Sequence, residues 1–250
     1  MKPMLAKNYN NTINPTGWFM SEKLDGVRAI YHNGVFHSRN EKLFISPLDF
    51  DTGFPHDIML DGELWEGRGL FPKTSGQVRR KTNQNWSGIK YHVFDAPQIS
   101  DTFEQRLSVL LQLPVDKNLV IVEQTVCKGP SHLKDYETAI VHLGGEGVIL
   151  HNPLNEYYEG KRSANVLKVK RFHNDEATVI DYQPGQGKHE GRMGALICNY
   201  KDKQIYIGTG FTDLQREYPP KIGSIVTFKY FEMTNNTPRF PVFITVRDYE

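Results

Sequence analysis

Residues 21–28 (Ser-Glu-Lys-Leu-Asp-Gly-Val-Arg) contain the strongest candidate for chemistry, the side-chain amine of Lys23. A lysine two residues before Asp25, with Arg28 close behind, has the composition of a nucleophile held against a phosphate. The amine attacks phosphorus only when it is neutral, and an ordinary lysine is neutral in about one molecule per thousand or fewer at neutral pH. Nearby cations favour the neutral form by like-charge repulsion. The same residues also suit a solvated lysine before a tight turn, because Asp-Gly tolerates a positive φ.

Later stretches supply the other side chains that a nucleotide site needs. Six of them lie at or near the end of a predicted strand: Arg39, Glu63, Phe94, Glu146, Lys168 and Lys170. Arg162 is a further candidate for binding phosphate. An acid could bind a ribose hydroxyl or hydrated Mg²⁺. An aromatic ring could stack on a base, and the cations could hold phosphates. Taken singly, these residues also suit ordinary roles as strand-end carboxylates, a core aromatic ring, or solvated lysines on an edge strand.

A basic stretch runs from Lys73 through Arg79, Arg80 and Lys81 to Lys90, with no acidic residue in it. Cations of this kind bind nucleic-acid phosphates without choosing a sequence. The alternative is a solvated basic face of a helix. Because the net charge of the whole chain is only +1, a nucleic-acid surface has to come from such local clustering.

The composition also excludes several classes of protein. No apolar run approaches the ~20 residues that span a bilayer, and residues 1–7 show no secretion signal. A cytoplasmic protein with no membrane partner is therefore predicted, with a periplasmic home left open if an export signal was removed. Cys127 and Cys198 are predicted to be buried free thiols. The histidines show no zinc-ligand spacing.

Strands and helices alternate irregularly up to about residue 171, which predicts an α+β domain. Alternating runs at 27–31 and 34–37 flank Asn33-Gly34, a strong hairpin signal. Other strands are predicted at 58–64, 91–95, 119–126, 148–150 and 167–170. One helix follows a cap at Thr102 and has the apolar stripe Phe103, Leu107, Leu110 and Leu111. A second helix at 131–143 has the stripe Leu133, Tyr136, Ala139, Ile140 and Leu143.

After the strand at 167–170 the pattern changes to short strands separated by turns rich in Gly and Pro. Five strands are predicted, at 177–182, 195–200, 204–207, 224–230 and 242–246. One short helix at 213–217 follows the capping box Thr212-x-x-Gln215. This pattern predicts a small β-barrel of OB type. The chain is therefore divided into domains 1–171 and 172–250.

The order of these stretches resembles that of ATP-dependent DNA ligases, members of the covalent nucleotidyltransferase superfamily. Lys23-x-Asp25-Gly26-x-Arg28 resembles the adenylation motif. Four stretches resemble later motifs of these ligases: 38–40 (Ser-Arg-Asn), 61–63 (Asp-Gly-Glu), 94–95 (Phe-Asp) and 146–148 (Glu-Gly-Val). Residues 168–170 (Lys-Val-Lys) and the stretch from Arg239 to Arg247 resemble the remaining two motifs. The last eighty residues most resemble the E-type minimal bacterial ligases, with small viral ligases as the neighbouring possibility.

The resemblance implies an adenylation domain of antiparallel sheets with helices, ATP-grasp-like in arrangement, followed by an OB-fold β-barrel. It implies that Lys23 attacks ATP to form lysyl-AMP and release pyrophosphate. AMP then passes to the 5′-phosphate at a nick, and the 3′-hydroxyl displaces AMP to seal the strand. The implied partner is nicked double-stranded DNA, and the enzyme is expected to be a monomer.

The resemblance also implies residue roles. The catalytic residues would be Lys23, Asp25, Lys168 and Lys170. The nucleotide would contact Glu22, Lys23, Arg28, Glu63, Phe94, Glu146, Arg162, Lys168 and Lys170. Mg²⁺ would be held by Glu146 and Glu63. DNA would contact Arg39, Lys73, Arg79, Arg80, Lys81, Arg239 and Arg247.

Two alternatives remain open from the sequence. An RNA ligase or a capping guanylyltransferase would use the same chemistry on another substrate, and the capping enzyme would require GTP. A nucleic-acid-binding module without catalysis would need only the OB fold. The presence of Lys23, Glu63, Glu146, Lys168 and Lys170 disfavours the binding module, which has no need of a complete phosphate site.

Overall fold

The computed structural model describes residues 1–114, 116–170, 173–230, 233–234 and 236–247. The chain divides into two compact units, Met1–Val169 and Lys170–Glu250. Arg171 and Phe172, on which the predicted domain boundary falls, lie outside the described residues, so that boundary stays a prediction. No helix among the described residues is long and apolar enough to cross a membrane.

The first unit contains eleven strands and three helices among its described residues. The strands are β1 (Leu5–Asn8), β2 (Phe19–Glu22), β3 (Val27–His32), β4 (Val35–Ser38), β5 (Leu43–Phe44), β6 (Leu60–Trp65), β7 (Lys90–Asp95), β8 (Leu119–Ile121), β9 (Thr125–Val126), β10 (Val148–His151) and β11 (Arg162–Val169). The helices are α1 (Phe71–Val78), α2 (Phe103–Leu110) and α3 (Pro130–His142). One sheet has the order β5-β4-β3-β6-β7-β8, and the other has the order β1-β11-β10-β2-β9.

The predicted hairpin at Asn33-Gly34 is confirmed. Both residues have positive φ values, 51° and 76°, which is typical of a two-residue turn whose twist matches the flanking strands. The turn sets the register in which His32 lies opposite Val35 and Ala29 opposite Ser38. The hairpin therefore fixes β3, the strand that carries Arg28, against its neighbours.

Two apolar cores pack on the sheets of the first unit. The core on the six-stranded sheet is rich in aromatic side chains, including Tyr31, Phe36 and Tyr91. The five-stranded sheet contributes Val148 and Leu150 to a second core shared with α3. Because side chains alternate along a strand, Ile149 and His151 lie on the opposite face of β10.

The two predicted helical stripes are correct only in part. The Thr102 side chain caps α2, and Phe103, Leu107 and Leu110 are buried. Leu111 is 68% exposed because it follows the last helical residue. In α3, Leu133 is buried but Ala139 is exposed, and Leu143 is exposed because it follows the last helical residue.

The second unit has a five-stranded antiparallel sheet made of β12 (His173–Pro184), β13 (Met193–Tyr200), β14 (Lys203–Ile207), β15 (Ile225–Tyr230) and β18 (Val242–Arg247). The order of these strands in the sheet is β14-β13-β12-β15-β18. Two short strands, β16 (Met233–Thr234) and β17 (Thr237–Pro238), pair with each other. All five predicted strands are confirmed, whereas β16 and β17 were not predicted. A 3₁₀ helix covers Gly187–His189. The predicted helix is α4 (Asp213–Glu217), and both hydrogen bonds of its capping box are present.

Candidate active site

A cavity of about 240 Å³ lies in the first unit, and residues from both of its sheets line it. Six predicted site residues are part of the lining: Glu22, Lys23, Arg28, Arg39, Glu63 and Phe94. They come from β2, β3, β6, β7 and the loops after β2 and β4. The convergence of strand ends that the sequence predicted is therefore present.

Lys23 is positioned by its backbone and by its amine. Its backbone N–H donates to the carbonyl of Gly147 over 2.9 Å, and Gly147 has a φ of 148°, which favours glycine. The Lys23 amine forms an ion pair with the carboxylate of Glu146, whose side chain is only 6% exposed. The fold thus joins the predicted nucleophile to a predicted metal ligand. As the ammonium partner of this ion pair, the Lys23 nitrogen has no lone pair, so it must lose a proton before it can attack phosphorus.

Gly26 is required for a different reason from the one the sequence suggests. It does not have a positive φ. A Cβ atom at this position would lie 2.5 Å from the backbone oxygen of Leu64 and 2.8 Å from Cγ of Glu63. The glycine therefore allows β3 to begin in close contact with β6, where Arg28 lies opposite Glu63.

Asp61 holds Arg28 in a fixed orientation at the cavity. Arg28 donates from Nε and from a terminal nitrogen to the two oxygens of Asp61, over 2.8 and 2.6 Å. Asp61 is fully buried, and it also accepts a hydrogen bond of 2.6 Å from the hydroxyl of Tyr157. The guanidinium carbon of Arg28 lies 4.9 Å from the ring centre of Phe94. Sequence reasoning missed the roles of Asp61 and Tyr157.

Glu63 has an unusual environment. Burial raises the pKa of this carboxyl group to about 8; Glu146 and Asp61 also raise it, while Lys23 and Arg28 lower it. A cation at this site would oppose the effect of Glu146 on Glu63 and favour the ionised form of Glu63.

A buried ion pair supports the end of β7. Arg106, with a fully buried side chain, donates to both oxygens of Asp95 over 2.5 and 3.1 Å. It also donates to the backbone oxygen of Asn155 over 3.0 Å. Since Asp95 directly follows Phe94, this pair fixes the strand end that presents the Phe94 ring. The sequence signal for Arg106 was only a polar residue inside the α2 stripe.

The remaining catalytic and nucleotide candidates lie outside the cavity lining. Lys168 pairs with Ile149 across β10 and β11, and Ile149 lines the cavity, so both side chains share one face of the sheet. Lys170 was predicted to be the last residue of this strand, but β11 ends one residue earlier at Val169, and Lys170 falls in the second unit. Arg162 is exposed and donates to the backbone oxygen of Ala6 over 2.9 Å. Asp25 is half-buried.

A further ion pair at the cavity was not predicted. Arg68 donates from Nε and a terminal nitrogen to the two carboxylate oxygens of Glu22, over 2.8 and 2.7 Å. Glu22 lines the cavity beside Lys23. Arg68 lies in the loop between β6 and α1, and its spacing in the sequence carries no signal for this contact.

The DNA-binding candidates are distributed over both units. In the first unit, Lys73 forms an ion pair with Glu66. Arg79, Arg80 and Lys81 are exposed after the end of α1, so the basic stretch is only partly a helix face. In the second unit, Arg239 packs over the Phe240 ring, and Arg247 forms an ion pair of 2.7 Å with Glu176.

Comparisons with known proteins identify the family. The model described as ATP dependent DNA ligase domain matches residues 3–170. The model described as DNA ligase OB-like domain matches residues 184–247. The chain therefore belongs to the ATP-dependent DNA ligase family. The predicted α+β fold class with an OB-like second domain is confirmed, and so is the predicted enzyme class.

Individual relatives agree with this assignment. A DNA ligase of Haemophilus influenzae is 38% identical over 246 residues, covering 96% of this chain and 90% of that protein. A solved structure from a study of Lig E DNA ligases has a TM-score of 0.92 at 34% identity and covers 99% of both chains. The Chlorella virus DNA ligase-adenylate has a TM-score of 0.58 at 26% identity, with 99% of both chains covered. These relatives favour DNA ligation over RNA ligation, capping or binding alone.

Proposed function

We propose that this ATP-dependent DNA ligase seals nicks in duplex DNA through a lysyl-AMP formed on Lys23. The observation that carries the proposal is the position of the Lys23 amine, which contacts Glu146 beside a cavity lined by Arg28, Glu63 and Phe94. The amine attacks the α-phosphorus of ATP, the new N–P bond replaces the bond to pyrophosphate, and pyrophosphate leaves. AMP then moves to the 5′-phosphate of the nick, and attack by the 3′-hydroxyl releases it.

The side chains around Lys23 divide the work of binding. Arg28, fixed by Asp61, and Glu63 hold the ribose, and Phe94 stacks on the adenine. Lys168, Lys170 and Arg162 neutralise the α-phosphate, and Asp25 and Glu22 support the segment that carries Lys23. Positioning and charge neutralisation of this kind supply most of the catalysis in phosphoryl transfer.

Glu146 and Glu63 fit a hydrated Mg²⁺. The charge of Glu146 raises the pKa of Glu63, so a bound cation would relieve a repulsion at this site. In protein sites Mg²⁺ is usually held by one or two carboxylates and keeps several waters. Among the described residues, no group of three or more acidic, histidine or cysteine side chains could hold a metal alone. The bound ion would supply neutralisation of phosphate charge, and its contact with Glu146 would release the Lys23 amine from that carboxylate.

The DNA is held through its backbone. Arg39 at the cavity contacts the 5′-phosphate of the nick, and Lys73, Arg79, Arg80 and Lys81 contact duplex phosphates. Arg239 and Arg247 of the second unit complete the contacts. We infer that the enzyme acts as a monomer with domains 1–171 and 172–250, and a cytoplasmic location stays a prediction.

The proposal is tested by intact-mass measurement together with a sealing assay on nicked duplex DNA. Incubation with ATP and Mg²⁺ should add one AMP, and GTP should add nothing. Lys23→Ala should neither gain AMP nor seal, while Lys128→Ala, an exposed lysine outside the cavity, should do both. AMP uptake by Lys23→Ala, or sealing of RNA nicks in preference to DNA nicks, would refute the proposal.

A further inference from the structure

His151, the last residue of β10, is a buried side chain at the cavity for which the reaction above has no use. It is 5% exposed, yet it is part of the cavity lining together with Ile149 and Val166. Its Nδ1 atom is buried and has no hydrogen-bond partner among the described residues. Buried polar atoms are nearly always paired, so a buried ring nitrogen without a partner beside a cavity indicates a missing ligand atom.

The imidazole is held in place from behind. The ring of Phe103, on α2, stacks on His151 with 4.2 Å between ring centres and 8° between the planes. The Phe103 ring also contacts Phe19 edge-on, at 5.7 Å. Since Phe19 lies opposite His151 in the sheet, the histidine is fixed on two sides and leaves only the cavity side for a ligand.

The environment keeps this ring neutral. Burial is the largest cause, and together with the positive charges of Arg106 and Arg28 it lowers the pKa of His151 to about 3. A neutral imidazole has one N–H donor and one bare nitrogen acceptor. It can therefore pair with a neutral heterocycle, whereas a phosphate would be better served by a cation.

We propose that His151 contacts the nucleobase of the bound nucleotide, forming a hydrogen bond with one edge of the adenine ring. The inference rests on the nucleotide site proposed above. The wall around His151 is apolar at Ile149 and Val166, which suits the faces of a base, while Lys23 of the same cavity is the group proposed to meet the α-phosphate. His151 is then the polar group that orients the base between apolar surfaces.

The test is calorimetric titration of His151→Leu with ATP and with deaza or deamino analogues. Each of the four analogues lacks one nitrogen of the base that could form a hydrogen bond. The deaza analogues 1-deaza-ATP, 3-deaza-ATP and 7-deaza-ATP replace a ring nitrogen by C–H, and purine riboside triphosphate lacks the amino group. We expect His151→Leu to weaken ATP binding about five- to tenfold, the loss typical of one neutral hydrogen bond. For the analogue that lacks the partner atom, wild type and variant should bind equally. His151→Gln, whose amide both donates and accepts, should recover part of the loss.

The matched control is His32→Leu. His32 is a half-buried histidine at the end of β3 whose Nδ1 also has no hydrogen-bond partner among the described residues, but it is not part of the cavity lining, so its replacement should leave ATP affinity unchanged. Equal ATP affinity of wild type and His151→Leu would overturn the inference, and so would an equal loss for ATP and all four analogues. The two proposals can fail separately. If the loss of affinity in His151→Leu depends on the analogue but the wild-type protein takes up no AMP, the proposed reaction is refuted and the role of His151 in binding the base is retained.

Discussion

The guanidinium of Arg28 donates two hydrogen bonds, of 2.8 and 2.6 Å, to the two carboxylate oxygens of Asp61. The two residues lie on neighbouring strands of the six-stranded sheet, β3 and β6. Asp61 is fully buried and is not part of the cavity lining, so a carboxylate behind the cavity fixes the arginine. If Arg28 binds the nucleotide as proposed, it is oriented before the nucleotide arrives.

We predict that Asp61→Asn will lower stability by about 3 kcal/mol, because removal of one partner leaves the other charge of a largely buried pair uncompensated. It should also raise the KM for ATP in the adenylation step. Tyr157→Phe removes only one hydrogen bond to the same carboxylate and should cost about 1 kcal/mol. Urea unfolding of the three proteins measures the difference. Equal stabilities for Asp61→Asn and Tyr157→Phe would contradict this account of Arg28.

Gly26→Ala should be strongly destabilising, since the new methyl group would meet the backbone oxygen of Leu64 at 2.5 Å and a backbone cannot yield as a side chain can. We expect a loss of at least about 2 kcal/mol, together with loss of AMP uptake. The matched control is Gly76→Ala in the interior of α1, where nothing lies within 4 Å of the added Cβ. That change should stabilise by about 0.5–1 kcal/mol. Thermal unfolding compares the two, and a neutral Gly26→Ala would disprove the close-contact explanation.

The stability of the protein should depend on pH through His151. The folded pKa of about 3 lies below the ordinary value of about 6.5. The stabilisation linked to the neutral ring is therefore complete above pH 6.5. This stabilisation is lost as the pH falls toward 3, because His151 binds a proton in the unfolded chain but not in the folded chain. His151→Leu should lose less stability than wild type between pH 7.5 and pH 5. Denaturant unfolding at both pH values measures this, and parallel losses would show that His151 is protonated in the fold.

Arg79→Ala and Arg80→Ala should weaken binding to nicked DNA without affecting AMP uptake. Each lost phosphate contact should reduce the slope of log affinity against log salt by about 0.9. The effect should be the same for nicks of different sequence, because phosphates carry no sequence information. Fluorescence anisotropy from ~50 to ~200 mM salt measures it. An unchanged salt slope would remove these two residues from the DNA contact.

The sequence predicted the local features of the fold well, and tertiary contacts only through the resemblance. The Asn33-Gly34 turn and the Thr212 capping box are determined by neighbouring residues, so their patterns were sufficient. Leu111 and Leu143 were misplaced because apolar spacing does not reveal where a helix leaves the core. The pairs Arg106–Asp95 and Arg68–Glu22 join residues far apart in the chain, and nothing in their spacing indicates the contact.

The same limit applies to the candidate site. Six of the residues predicted from the motif order line the cavity, including Arg39, Glu63 and Phe94, whereas five of the predicted catalytic and nucleotide residues do not. The alternative of a solvated lysine before a tight turn expected a positive φ at Gly26, whereas this glycine has none and instead allows a close approach of strands. The motif order surrounded Lys23 with cations, whereas the structure places the Glu146 carboxylate on its amine. Burial of Glu63 beside Glu146 depends on the packed fold and has no signature in either stretch.

The most direct test of the account is to locate the AMP. The protein is incubated with ATP and Mg²⁺, digested under conditions that preserve the acid-labile N–P bond, and its peptides are sequenced by mass spectrometry. The account predicts one AMP on the Nζ atom of Lys23 and on no other lysine. AMP on Lys168 or Lys170, or uptake that persists when Lys23 is replaced by alanine, would contradict it.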